Sequence, residues 1–92
     1  MKFEFIIPRH FENELLLLPE DVLVVFEKKL YLLQTNPRHP SLRSHAVGMT
    51  AKDTSIWSSS INMAYRFTWE YGPGKNQITL RHIGKHTIYK NP

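Results

Sequence analysis

Residues 2–7 alternate, with Phe3, Phe5 and Ile7 on one side and Lys2 and Glu4 on the other, and Pro8 stops the pattern. A period of two predicts a short strand. Over residues 9–18 the period changes: Phe11, Leu15 and Leu18 fall at i, i+4 and i+7, which predicts a helix of about three turns. Pro19 closes that helix and opens another, because proline fits a first helical turn and Glu20 and Asp21 suit the positive end of a helix dipole. In the second helix Val22, Val25, Phe26, Leu30 and Leu33 form one apolar face, Glu27, Lys28 and Gln34 face outward, and Asn36-Pro37 ends it. Two helices joined this tightly make a hairpin that must lie across a sheet to bury both stripes.

Residues 36–54 read as one long irregular connection, stiffened by Pro37 and Pro40, with Leu42 tucked beneath it. Residues 56–61 and 64–71 then predict two strands joined by a tight Asn62-Met63 turn. That turn pairs Ile61 with Ala64, Ser59 with Arg66 and Trp57 with Thr68. Tyr65, Phe67 and Trp69 point to the helices, which leaves Arg66 on the open face. A Gly-Pro-Gly turn leads to a third strand. Pairing Leu80 with Trp69 buries Ile78 and Leu80, sends Arg81 to the open face beside Thr68, and sets His82 next to Phe67 on the core side. The Gly84 turn then carries Lys85 and His86 round the sheet end towards Arg66. The expected fold is α+β: a single two-layer domain spanning residues 1–92, in the order β-α-α-β-β-β. Its helical hairpin packs on one face of a small, mostly antiparallel sheet whose other face is basic and open.

Charge sharpens this picture. Residues 1–36 carry four basic and six acidic side chains, net −2; residues 37–92 carry eight basic side chains against Asp53 and Glu70, net +6, with four of the five histidines. A cationic half of this kind attracts a polyanion, either nucleic acid or an acidic protein. The absence of cysteine excludes disulfides and thiolate metal sites and suits a reducing cytoplasm. The first residues lack a signal-peptide core, and the longest apolar run, residues 22–26, is far too short for a membrane span. The expected setting is therefore cytoplasmic, without a membrane. No histidine pair shows a metal-binding spacing with a carboxylate beside it, so neither metal nor cofactor is expected.

The LP-x-D-V helix start (Leu18, Pro19, Asp21, Val22), the loop NPRHPSLRSH, the strand W-S-S-S-I-N, the Y-R-F strand and the ending I-G-K-H-x-x-x-Y together resemble the RelE/ParE toxin superfamily of type II toxin-antitoxin systems. The resemblance covers nearly the whole chain and is closer to the histidine-using RelE/YafQ-like mRNA interferases than to the gyrase-poisoning ParE branch. It implies metal-independent cleavage of mRNA, usually at the ribosome, inhibition of translation, and restraint by a cognate acidic antitoxin in a hetero-oligomer. It also implies roles for particular residues: Arg66 as the phosphate-binding arginine, His86 as general acid, His45 as general base, and Tyr89 to stack on a base or orient the 2′-hydroxyl. Arg81 and Lys85 read as electrostatic support, and Arg43 and His39 as further contacts to RNA. Where some relatives carry a second histidine and an aspartate around the hairpin, this chain has Ser60 and Ala64; where RelE-type members carry strand lysines, it has Ser58-Ser59-Ser60. A ParE-like DNA gyrase inhibitor and a non-catalytic antitoxin-binding module share the fold and stand as alternatives.

Overall fold

The computed structural model describes residues 2–92. Its elements are β1 (Glu4–Ile6), α1 (Arg9–Leu15), α2 (Glu20–Thr35), a 3₁₀ turn (Pro40–Leu42), β2 (His45–Met49), β3 (Ser55–Ser60), β4 (Arg66–Tyr71), β5 (Gln77–Gly84) and a second 3₁₀ turn (His86–Lys90). The sheet runs β1-β5-β4-β3-β2; β1 is parallel to β5 and every other pair is antiparallel. Two helices on one face of a mostly antiparallel sheet make the expected two-layer α+β domain.

The core lies where the two periodicities meet. Phe11 of α1 and Val22, Phe26 and Leu33 of α2 are buried against Phe67, Trp69, Ile78, Leu80 and Ile83 of the sheet, with Leu42 closing the loop side. Phe26 stands edge-on to Phe67 at 5.2 Å between ring centroids. Burying a side chain of this size stabilises the fold by about 1.5–3 kcal/mol. Ile7 departs from the alternation that predicts its burial: pairing of β1 stops at Ile6, and Ile7 stays 43% exposed. Gln34, expected to face outward, instead donates its amide to Phe3 O at 3.0 Å, while Phe3 N donates to Gln34 O at 2.9 Å. The end of α2 thereby caps the start of the edge strand.

Four expectations change in ways that matter for the site. First, residues 36–54 are not one irregular stretch, because β2 forms inside them as the edge strand beside β3. Its sequence HAVGM carries no clean alternation, and a register shift between Ala46 and Gly48 accommodates Val47. Second, the β3–β4 turn has three residues. Asn62 Oδ1 accepts from the amides of Ala64 and Tyr65 at 2.9 and 2.8 Å, which brings Ile61 against Tyr65 and sets Ser60, not Ser59, opposite Arg66. The slip of one residue exchanges faces: Trp57 moves beside Trp69, Ser59 joins the core side, and Ser58 and Ser60 share the face of Arg66.

Third, Leu80 does pair with Trp69, but an irregularity between Thr68 and Trp69 pairs His82 with Thr68 and Ile83 with Phe67. Ile83 takes the core position expected for His82. The His82 ring turns to α1, where Nδ1 donates to the Glu14 carboxylate at 2.9 Å. Because β1 pairs with β5 only as far as Thr79, the remaining edge of β5 needs partners, and α1 supplies them: His10 Nε2 donates to Arg81 O at 2.6 Å and Glu14 accepts from Ile83 N at 3.1 Å. Fourth, the face opposite the helices is not open throughout. The segment after β5 folds across it: Tyr89 Oη meets Ser58 Oγ at 2.7 Å, and Pro92 O accepts from Thr68 Oγ1 at 2.8 Å and from Arg81 Nε at 3.1 Å. Ser58 and Thr68 are fully buried beneath it.

Candidate functional site

The uncovered part of that face lies at the end of the sheet where β4 begins. Arg43, His45, Ser60 and Arg66 line a depression of about 260 Å³ there. Each wall has a local cause. Arg43 follows the Pro40–Leu42 turn with φ 48° and ψ 43°, a left-handed conformation that reverses the chain into β2. His45 opens β2 and pairs with Ser58 of β3. Ser60 and Arg66 are cross-strand partners on either side of the Asn62 turn.

A buried hydroxyl chain fixes the loop that delivers Arg43 and His45. Trp69 Nε1 donates to Ser59 Oγ at 2.9 Å, Ser59 and Ser44 hydroxyls meet at 2.8 Å, and Ser44 donates to Pro37 O at 3.1 Å. An indole N–H only donates and a carbonyl only accepts, so every hydrogen in the chain has one direction, from Trp69 through Ser59 and Ser44 to Pro37. The same rule sets the tautomer of His45. Its Nδ1 lies 3.1 Å from Arg43 O and must carry the hydrogen, which in the neutral ring leaves Nε2 as a bare lone pair. That is the state a general base requires.

Arg66 donates from Nη1 to Ser60 Oγ at 2.9 Å, to Tyr65 O at 3.2 Å and to Asn62 O. No carboxylate lies within ion-pair distance of it among the described residues, where the carboxylate contacts of basic side chains are Arg81–Glu70 and His82–Glu14. Arg66 and Arg43 thus face the depression with uncompensated charge. Gly84 pairs with Arg66, so the chain leaves the sheet beside this arginine; Lys85 places its ammonium 5.7 Å from the Tyr65 ring, and exposed His86 lies against the Tyr89 ring at 5.6 Å. Through Ser58, the cross-strand partner of His45, Tyr89 is tied to the same strand.

The fold therefore gathers Arg43, His45 and Arg66 around one depression, sets Lys85 and His86 just after β5 leaves the sheet beside Arg66, and holds Tyr89 over β3, where it lines a neighbouring depression with Arg81. It does not bring in the other two candidates in the same way. Arg81 is bound to Glu70 and Pro92 O, further along the covered face. His39 accepts from Ser41 N at 3.1 Å and caps the Pro40–Leu42 turn. Ser60 and Ser58 join the site although the sequence does not single them out; their i, i+2 spacing within WSSSI puts them on one face, and only the hairpin register tells which face that is.

No protein-family model matches the chain, and no curated protein matches it by sequence. Solved structures do match. A chain of the archaeal RelE–RelB complex from Pyrococcus horikoshii superposes with a TM-score of 0.75, over 92% of this chain and 96% of that one, at 14% identity. A copper-bound mutant toxin from Helicobacter pylori superposes with a TM-score of 0.59, over 95% and 97%, at 18% identity. The fold is that of RelE-type toxins.

Proposed function

We propose that this chain, built on the RelE toxin fold, is the toxin of a toxin-antitoxin pair and acts as an endoribonuclease on mRNA at the ribosome. The observation that carries the reading is the depression itself: among the described residues, two arginines without carboxylate partners and a histidine whose Nε2 has no protein partner, with a further histidine and tyrosine in the segment that leaves β5 next to Arg66. These are the groups that cleavage of an RNA phosphodiester requires.

In that reaction the ribose 2′-oxygen attacks the adjacent phosphorus, the bond to the 5′-oxygen breaks, and the products are a 2′,3′-cyclic phosphate and a 5′-hydroxyl. His45 Nε2 takes the 2′-hydroxyl proton. Arg66 and Arg43 stabilise the dianionic phosphorane, the role in which a fixed donor contributes on the order of 10²–10³-fold. His86 in its protonated form gives a proton to the departing oxygen, and positioned acid–base groups of this kind contribute roughly 10²–10⁴-fold. Tyr89, its hydroxyl held by Ser58, offers its ring to a flanking base. Lys85 adds positive potential at the rim.

An acidic antitoxin is the partner that best complements the net +6 of residues 37–92, with binding that weakens as salt rises. The test is primer extension on a message translated in a cell-free extract, comparing the wild-type chain with Arg66→Ala and His86→Gln. Cuts that appear only during translation and disappear in both variants support the reading. Intact message with the wild-type chain overturns it, and a gyrase supercoiling assay then separates a topoisomerase inhibitor from a binding module.

A further inference from the structure

We propose that Ser60 is a positioning residue for Arg66, orienting the guanidinium so that only its Nε–Nη2 edge is presented to the scissile phosphate; the assignment rests on the nuclease reading above. Ser60 Oγ lies 3.1 Å from Asn62 O, and a carbonyl only accepts, so the hydroxyl hydrogen is committed to it. The remaining lone pairs of Ser60 face Arg66 and accept from Nη1 at 2.9 Å. Asn62 O accepts from Nη1 as well, and Tyr65 O lies 3.2 Å from it. Two hydrogens on Nη1 thus meet three acceptors, and that nitrogen is saturated.

The acceptors are themselves fixed. Asn62 Oδ1 holds the amides of Ala64 and Tyr65, so the turn carrying both carbonyls is braced from within. Ser60, the turn and Arg66 close a ring in which each holds the next. Among the described residues, Nε and Nη2 of Arg66 have no protein acceptor, and their hydrogens form the side-on fork that matches two phosphate oxygens. Ser60 cannot itself donate to the substrate, because its one hydrogen is used. Its effect on RNA comes through the arginine, and a threonine would reproduce it whereas an alanine would not.

The experiment compares Ser60→Ala, Ser60→Thr and, as a control outside the site, Ser55→Ala. Cleavage is followed on purified translating ribosomes with toxin titrated to saturation. The Arg66 Nη resonances are followed in the free, ¹⁵N-arginine-labelled chains. Ser60→Ala is expected to slow cleavage at saturation by about 10- to 100-fold, the scale on which misplacing a catalytic group acts, with the half-saturating concentration nearly unmoved. Ser60→Thr recovers the rate, and Ser55→Ala matches the wild type. The two Nη signals, distinct in the wild-type and Thr chains because Nη1 is held on three sides, draw closer in the Ala chain, where Asn62 O and the more distant Tyr65 O alone remain. Wild-type rates in Ser60→Ala, Thr as slow as Ala, or Nη signals unchanged in the Ala chain would each overturn the assignment. If the wild-type chain cuts nothing, the nuclease reading fails; the NMR comparison then judges Ser60 alone, and unchanged Nη signals would sink it.

Discussion

Replacing Ser59 by alanine removes one oxygen from the interior and breaks the hydroxyl chain at its centre. Trp69 is 1% exposed and Ser59 0% exposed, so the indole N–H that loses its acceptor cannot turn to water. Leaving a buried donor unsatisfied costs about 1–3 kcal/mol. Ser44 also loses a partner but keeps Pro37 O, so its share is small. Taking about 2 kcal/mol as the loss, and about 4–8 °C per kcal/mol for a domain of this size, the melting midpoint should fall by roughly 8–16 °C.

The same change should loosen the loop between α2 and β2, because Ser59 is the sheet's hold on Ser44. Amide hydrogen exchange across residues 36–44 should quicken more than exchange in β4 or β5. A double-mutant cycle isolates the bond: Ser59→Ala with Trp69→Phe should cost less than the sum of the two single changes, with a coupling of about 0.5–3 kcal/mol. A midpoint for Ser59→Ala within about 2 °C of the wild type, well inside the penalty for an orphaned buried donor, would refute the reasoning.

Further outcomes follow from the same contacts. Arg66→Ala should lower cleavage by about 10²–10³-fold, while Arg81→Ala, whose charge is already paired with Glu70, should change it far less; relative initial rates of cutting decide. Glu14→Ala orphans the Ile83 amide at the free edge of β5 and should destabilise by about 1–3 kcal/mol in urea unfolding, with faster exchange at Ile83. Leu42→Ala empties a fully buried site under the loop and should cost about 2–5 kcal/mol by the same measurement.

How far the site could be read in advance differs residue by residue. The aromatic alternation of Tyr65, Phe67 and Trp69 by itself puts Arg66 on the face away from the helices, and it lies there. His45 has the sequence surroundings of a loop yet begins a strand, because β2 owes its existence to the edge of β3 and not to its own pattern. A two-residue turn sets Ser59 opposite Arg66 and hides the part Ser60 and Ser58 play on the face of that arginine. One hydrogen-bonding side chain, Asn62, added a residue to the turn and exchanged the faces of β3. An unbroken ladder puts His82 in the core; the irregularity beside Thr68 gives that position to Ile83 and turns His82 to Glu14.

By itself the amino-acid sequence determined the two helices and four of the five strands, the apolar faces of the helices and of β4, and the cationic character of the second half. These are local properties: a period of 3.6 or 2, a proline, a run of like charges. Only the tertiary structure decided which hydroxyls stand beside Arg66, which arginine is already paired, and where the segment after β5 lies. Those outcomes depend on register and edges. Register is settled by a few hydrogen bonds at turns and edges, such as those from Ala64 and Tyr65 to Asn62, whose effect is a whole strand turned over and is far larger than any periodicity along the strand itself.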